Sequence, residues 1–441
     1  MSASSSTGGA PVSFKRSEVI KVTAASSIGT IFDFYDFFVA GLAAAVVWPT
    51  IFFPNLSPAA SLVLSLSGFF IGYFVRPLGS LIFGYFGDKM GRLSVLIWTM
   101  ITTGIGTAGL AFTPTYASIG IFGAVLVNVF RIIQGIGAGG EWGGAVTLVA
   151  EYAKESKHRA FWVSWVQQGN ALGTLLASVA WSYVLVAMPR AQLFDWGWRI
   201  PFYFGLVVLV LGLIIRYWVM ESPVFTEFVV KKSLSRSPSV ELVKTQWKKL
   251  LVLMLVPLPT VAGSAFITTF ATPFSLQLGI PAAFSVNTVV WGSLIAVAGV
   301  LFFAVLADKI GRRWTVFLSG IIPAAFSIPY MYMLSTGNLM LTFIGNILFI
   351  ITGRVGAGAF PAMLAEQFPT RFRFSGTGLA YTISAALGGA LLPLVTTLVM
   401  QAVGGPLPSW PYVGMVLAAY FALSGIAGLV VAETKKQDMA Y

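Results

Sequence analysis

Apolar runs long enough to cross a bilayer recur along the whole chain, and short polar clusters rich in lysine and arginine separate them. A helix rises about 1.5 Å per residue, so roughly 20 apolar residues span the hydrocarbon. On that ruler the pattern predicts twelve spans, at about 22–48, 58–87, 93–112, 118–150, 159–188, 198–219, 248–277, 283–307, 314–335, 339–366, 374–402 and 410–431. Several exceed the minimum, which implies tilt or extension beyond the membrane.

The longest polar stretch, Glu221 to about Trp247, falls between spans six and seven, and the two sides of it echo each other. Gly84, Asp88, Lys89, Gly91 and Arg92 follow span two, and Asp308, Lys309, Gly311, Arg312 and Arg313 follow span eight. Arg131 of span four has a counterpart in Arg354 of span ten; Glu151 and Arg159 have counterparts in Glu366, Arg371 and Arg373. A six-span repeat is the mark of a duplicated transporter with its site between the halves. The expected fold is an all-α membrane protein of twelve transmembrane helices in two pseudo-symmetric six-helix bundles. The expected organisation is a disordered tail at 1–18, a first bundle at 19–220, a linker at 221–247, a second bundle at 248–432 and a tail at 433–441.

Composition sharpens this picture. The chain is 57% hydrophobic and 10% charged, with a mean hydropathy of +0.85. Soluble domains carry about 25% charged residues. No cysteine is present, and the lone histidine, His158, cannot build a histidine metal site. The net charge of +12 comes from basic residues scattered between the apolar runs, which fits topology control rather than nucleic-acid binding. With both termini in the cytoplasm, all of the 27 lysines and arginines except Arg76, Arg131, Arg190, Arg199, Arg216 and Arg354 fall on the inner side. The head of the chain has no cleavable signal pattern. The expected location is the cell membrane, with multiple passes, and the expected state is a monomer.

Charges inside the apolar runs carry the candidate chemistry, because each costs several kcal/mol there unless it has a partner or a task. Asp33, Asp36, Arg76, Arg131 and Glu141 lie deep in the first half. Counting about 1.5 Å per residue puts Asp36 and Arg131 in an upper layer and Asp33, Arg76 and Glu141 in a lower one. Three acids against two arginines leave one excess negative charge, which a proton on one acid would remove. Asp36 is expected to carry that proton and to release Arg131 when it does, with Asp33 as its rival; a static ion-pair cluster is the competing reading. Arg354 has no acid at its depth in the second half, so it is expected to bind a substrate carboxylate, helped by Arg76 or Arg131. Gln167, Tyr35 and Tyr381 are expected to line the same cavity. The glycines 135, 137 and 140 match a dinucleotide fingerprint only by letter; within a membrane helix they read as packing positions.

The duplicated loop from Gly84 to Arg92 resembles the major facilitator superfamily. Further stretches resemble its metabolite:proton symporter branch: Asp33 to Phe37, Arg76 to Gly79, Arg131 with Gln134 and Gly135 and the run Gly139 to Gly144, Trp196 to Phe202, and Glu221 to Phe225. Leu93, Ala304 and Phe34 depart from the family's pattern. The resemblance covers nearly the whole chain. It implies alternating access, with proton coupling through Asp36, Arg131, Asp33 and Glu141. It also implies gating by Asp88, Arg92, Glu151 and Arg159 and their twins Asp308, Arg312, Glu366 and Arg371. The expected activity is symport of a small mono- or dicarboxylate with H+, with no cofactor other than the coupling proton, no enzyme chemistry and no partner beyond substrate, proton and lipid. A zwitterion such as proline or betaine is the alternative cargo, and a passive uniporter or channel the alternative class.

Overall fold

The computed structural model describes residues 16–218, 221, 226, 238–437 and 439, and its helices follow the apolar runs. Twelve segments result: α1 (Arg16–Val46), α2 (Pro58–Met90), α3 (Arg92–Phe112), α4 (Ile121–Tyr152), α5 (Arg159–Ala187), α6 (Gly197–Tyr217), α7 (Pro238–Leu253 with Leu258–Gln277), α8 (Ala282–Ile310), α9 (Arg312–Ser335), α10 (Leu339–Gly353 with Phe360–Gln367), α11 (Thr370–Ala402) and α12 (Pro406–Val430). No strand occurs among the described residues. The expected tail is helical from Arg16, and the end of the expected linker is helical from Pro238. Residues 1–15, 219–220, 222–225, 227–237, 438, 440 and 441 lie outside the described set.

Two expected spans are not continuous. The limbs of α7 meet at 61°, where Pro257 and Pro259 remove backbone donors and crowd the preceding turn. Helix α10 unwinds into turns over residues 354–359. A Cβ on Gly358 would overlap the Ala304 backbone of α8, so α10 crosses α8 where it has no side chain. Other local signals act as the sequence suggests. Ser57 caps α2, accepting from the Ala60 N–H, with Pro58 in the first turn. Asn338 caps α10, accepting from Met340 and Leu341.

Helices α1–α6 pack together, as do α7–α12, and the two sets meet along α5 against α8 and α2 and α4 against α11. At one crossing Gly143 of α4 faces Gly378 of α11 so closely that a Cβ on Gly143 would reach the Gly378 Cα. The upper end is the one away from Arg16 and Thr434. There α1 meets Ile267–Ala271 of α7, and α2 meets Ala386–Leu391 of α11. Both segments wind as π-helix, a local widening frequent at functional sites.

Candidate functional site

Asp33, Asp36 and Phe37 share one face of α1, at the i, i+3, i+4 spacing of a helix. Arg76 approaches from α2, where Pro77 leaves the Tyr73 carbonyl without its helical donor. Its Nη2 lies 3.8 Å from Asp33 Oδ2, beyond hydrogen-bond reach. Arg131 comes from α4. The Phe37 ring lies 4.1 Å from the Arg76 guanidinium and 4.2 Å from that of Arg131, giving both cations a π face. Gly72 makes room for Arg131, since a Cβ there would fall 2.6 Å from its Nη2.

Asp36 and Arg131 do not touch directly; Gln134 stands between them. Arg131 Nη1 donates to Gln134 Oε1 at 2.5 Å, and Gln134 Nε2 donates to Asp36 Oδ2 at 2.5 Å and to Thr107 Oγ1 at 3.1 Å. Arg131 also donates to the carbonyls of Gly68 and Phe69.

The charge count from sequence needs correction. Arg216 of α6 is buried at 1% exposure and grips Glu141 through both nitrogens, while Thr99 donates to the same carboxylate at 2.7 Å. With Arg354 included, the buried centre holds Arg76, Arg131, Arg216 and Arg354 against Asp33, Asp36 and Glu141. Within the first half three arginines match three acids, and Arg354 of the second half makes the excess one positive charge.

Arg354 sits at the start of the unwound stretch of α10 and is 3% exposed. It has no carboxylate partner among the described residues. Its Nη1 donates across the interface to Asn170 Oδ1 of α5, which also accepts from Ser264 of α7 at 2.9 Å. Below it Trp142 of α4 stacks on Tyr381 of α11, with centroids 3.8 Å apart, and donates to Gln167 Oε1 at 2.9 Å. The Tyr381 hydroxyl lies within electrostatic reach of Arg76, Tyr73, Asp33 and Arg354, so it joins the halves' polar groups. Several buried atoms here have no hydrogen-bond partner: both Asp33 oxygens, Asp36 Oδ1, Arg76 Nε and Nη2, Gln167 Nε2, Tyr381 Oη and Arg354 Nε. Buried polar atoms are rarely left so, and a cluster of them marks a place built for another polar group. Tyr35 is not part of it. Its hydroxyl donates to the Pro201 carbonyl at 2.5 Å and its ring meets Phe204, so it fastens α1 to α6.

The expected gate residues assemble at the lower end in two matching sets. Arg92 lies 3.3 Å from Glu151 and 3.7 Å from Asp88, and Arg373 lies 3.2 Å from Glu151. Arg312 lies 3.3 Å from Glu366 and 3.0 Å from Asp308, and Arg159 lies 2.9 Å from Glu366. Arg373 and Arg159 thus reach into the opposite half. Asp88 accepts from the Phe374 and Ser375 N–H groups, and Asp308 from those of Ala160 and Phe161. Each aspartate caps the first turn of a helix in the other bundle. These pairs are buried, with side-chain exposures of 0–8%. Arg371 is a second correction: it pairs at the surface with Glu241 at 3.0 Å, and Arg373 takes its place. Glu221 accepts from the Arg92 and Leu93 N–H groups, and Glu433 from those of Arg312 and Arg313. Burial pushes the Glu433 carboxyl up, but the N–H groups of Arg312, Arg313 and Lys435 outweigh it and hold the carboxyl below its usual range.

Sequence reasoning missed Arg216 and Phe37 as contributors. Arg216 closes the sixth span and reads there as a flanking charge; Phe37 is one phenylalanine of 36.

Comparison with known proteins adds the following. The family described as Major Facilitator Superfamily matches residues 27–360. The inner membrane metabolite transport protein YhjE of Escherichia coli (strain K12) is 34% identical over 429 residues, covering 95% of each chain. The shikimate transporter of the same organism is 30% identical over 415 residues, covering 93% of this chain and 94% of its own. Among solved structures, a D-xylose-proton symporter superposes with a TM-score of 0.74 at 18% identity, over 95% of this chain and 99% of that one.

Proposed function

The chain belongs to the major facilitator superfamily and is a multi-pass membrane transport protein, and from that premise we propose that it carries a small organic anion together with a proton by alternating access. One observation carries the reading of the cargo: four buried arginines face three buried carboxylates at the centre, Arg131 reaches Asp36 only through Gln134, and Arg354 has no carboxylate partner among the described residues. A buried charge is costly unless paired. A substrate carboxylate between Arg354 and Arg76 would supply the missing partner, and guanidinium offers it two parallel donors. A proton on Asp36 raises the excess to two, which a dicarboxylate, or a monocarboxylate with a second acceptor, offsets.

The same geometry separates the three acids. Protonating Glu141 would break the grip of Arg216. Protonating Asp36 breaks no ion pair, because its link to Arg131 runs through a neutral amide. Asp36 is therefore the assigned proton carrier, with Asp33 beside it. Gln167 and Tyr381, both in contact with Trp142, would supply neutral contacts to the cargo. The lower network would hold the cytoplasmic side shut while the cargo loads from outside. The unpartnered Asp33 oxygens favour the second reading, a zwitterion whose cation would meet them.

The test is uptake into proteoliposomes of purified protein under an inward proton gradient, screening mono- and dicarboxylates against proline and betaine. Carboxylate accumulation should vanish with an uncoupler. It should also vanish in Asp36→Asn, which should keep exchange of labelled for unlabelled substrate. Arg354→Gln should raise the half-saturating concentration at least tenfold. Accumulation that ignores the uncoupler would overturn symport, and selective uptake of proline or betaine would overturn the anion reading.

A further inference from the structure

Gln134 is placed where two groups of fixed and opposite hydrogen-bonding character meet. A guanidinium only donates, and an ionised carboxylate only accepts. A primary amide has one accepting end and one donating end, so between Arg131 and ionised Asp36 it fits in a single orientation: oxygen to Arg131, nitrogen to Asp36. All three side chains are 0–1% exposed.

A proton arriving from water on Asp36 Oδ2 forms an O–H bond and turns that atom into a donor, facing the donor Nε2. The terminal torsion of glutamine is broad and close to two-fold, so the amide can turn end for end. Its oxygen then accepts from Asp36. Thr107, which now accepts from Gln134 Nε2 and donates to the Thr103 carbonyl, can donate to the same oxygen by turning its hydroxyl away from Thr103. The amide nitrogen comes to face Arg131, donor against donor. Arg131 loses the acceptor of its Nη1 and keeps the Gly68 and Phe69 carbonyls and the Phe37 ring. That nitrogen is free for a carboxylate. Protonation at Oδ1 is the poorer choice, because that atom has no hydrogen-bond partner and its O–H would be buried without an acceptor.

We propose that Gln134 is the positioning residue that converts protonation of Asp36 into release of Arg131, by reversing its amide. The proposal rests on the reading of Asp36 as the coupling acid. The charged and titratable groups facing Asp36 are Asp33 and Tyr35 on α1, Arg76 on α2 and Arg131 on α4, with Thr107 as the polar contact from α3. Arg216 of α6 acts on Asp33. Helix α5 has no titratable side chain between Arg159 and Tyr183, and the limb Leu258–Gln277 of α7 has none.

Infrared difference spectroscopy of the full-length protein in lipid, titrated between about pH 4 and 9, tests this without a substrate. The carboxylic C=O band lost in Asp36→Asn reports Asp36, and the guanidinium band lost in Arg131→Lys reports Arg131. In the wild type both should titrate with one midpoint. In Gln134→Met, which has neither donor nor acceptor, the Asp36 band should titrate while the Arg131 shift disappears. In Gln134→Glu the introduced carboxylate holds Arg131 whatever the state of Asp36. The Arg131 shift should then return only after that carboxylate takes up a proton and again offers one donor and one acceptor, so its midpoint departs from that of Asp36. An Arg131 shift that still follows Asp36 in Gln134→Met, or in Gln134→Glu should the methionine variant not fold, overturns the relay and leaves Asp36 as coupling acid intact. A wild type whose carboxylic band is unchanged by Asp36→Asn overturns the coupling reading itself.

Discussion

Glu141 and Arg216 sit 75 residues apart in sequence and form the tightest ion pair of the buried centre. The pair is fully enclosed, so removing one member leaves a charge without compensation, which costs about 3–5 kcal/mol. Glu141→Gln or Arg216→Met should therefore lower the melting temperature of the detergent-solubilised protein sharply, and the double variant should recover most of the loss. Equal losses in single and double variants would show that the pair does not act as a unit. The residues that stand out in sequence are those whose charge interrupts an apolar run: Asp33, Asp36, Arg76, Arg131, Arg354. Arg216 does not interrupt its run but ends it, and a terminal arginine ordinarily snorkels to the interface. Only packing against α3 and α4 turns it inward, where it also donates to the Leu96 carbonyl. Together with Arg354, that residue moves the central count from one excess negative charge to one excess positive charge.

At the scale of elements, the lower network joins helix ends rather than helix middles. Asp88 and Asp308 cap α11 and α5, and Glu151 and Glu366 each collect two arginines, one from each bundle. The duplicated motif made these residues visible as a set, but not their burial or the choice of Arg373 over Arg371. Loops after spans read as exposed, and it is the contact of the two bundles that encloses them. The breaks in α7 and α10 were present in sequence as Pro257, Pro259 and the glycines near Arg354, yet hydropathy alone counts straight through them. Because the two bundles share this network, weakening it should open the lower end. The chain has no cysteine, so a single Thr377→Cys, buried at 0% exposure on α11, reports access cleanly. Adding Glu366→Gln should speed its labelling by a maleimide severalfold, whereas Glu241→Gln, which removes the surface pair with Arg371, should not. Equal labelling in both backgrounds would mean that the network does not hold that end closed.

For the molecule as a whole, twelve spans, the repeat and the interface between bundles follow from hydropathy and motif spacing, because a bilayer demands long apolar helices and little else. The orientation rests on a different force. Lysine and arginine next to a span resist translocation, so the end richer in them stays in the cytoplasm. Folding then buries Arg92, Arg159, Arg312 and Arg373 in ion pairs. The basic residues expected to orient the chain are thus the same residues that the folded protein holds in buried ion pairs. Loops at the other end hold Arg190, with Arg199 at a helix start. By that rule both termini are expected in the cytoplasm. Single cysteines at exposed Lys157 and Gln401 lie at opposite ends. A membrane-impermeant thiol reagent added to intact cells should label Gln401→Cys and spare Lys157→Cys, and permeabilised cells should yield both. The reverse pattern would put the buried ion pairs on the outer face, and the network would then close the side from which cargo enters.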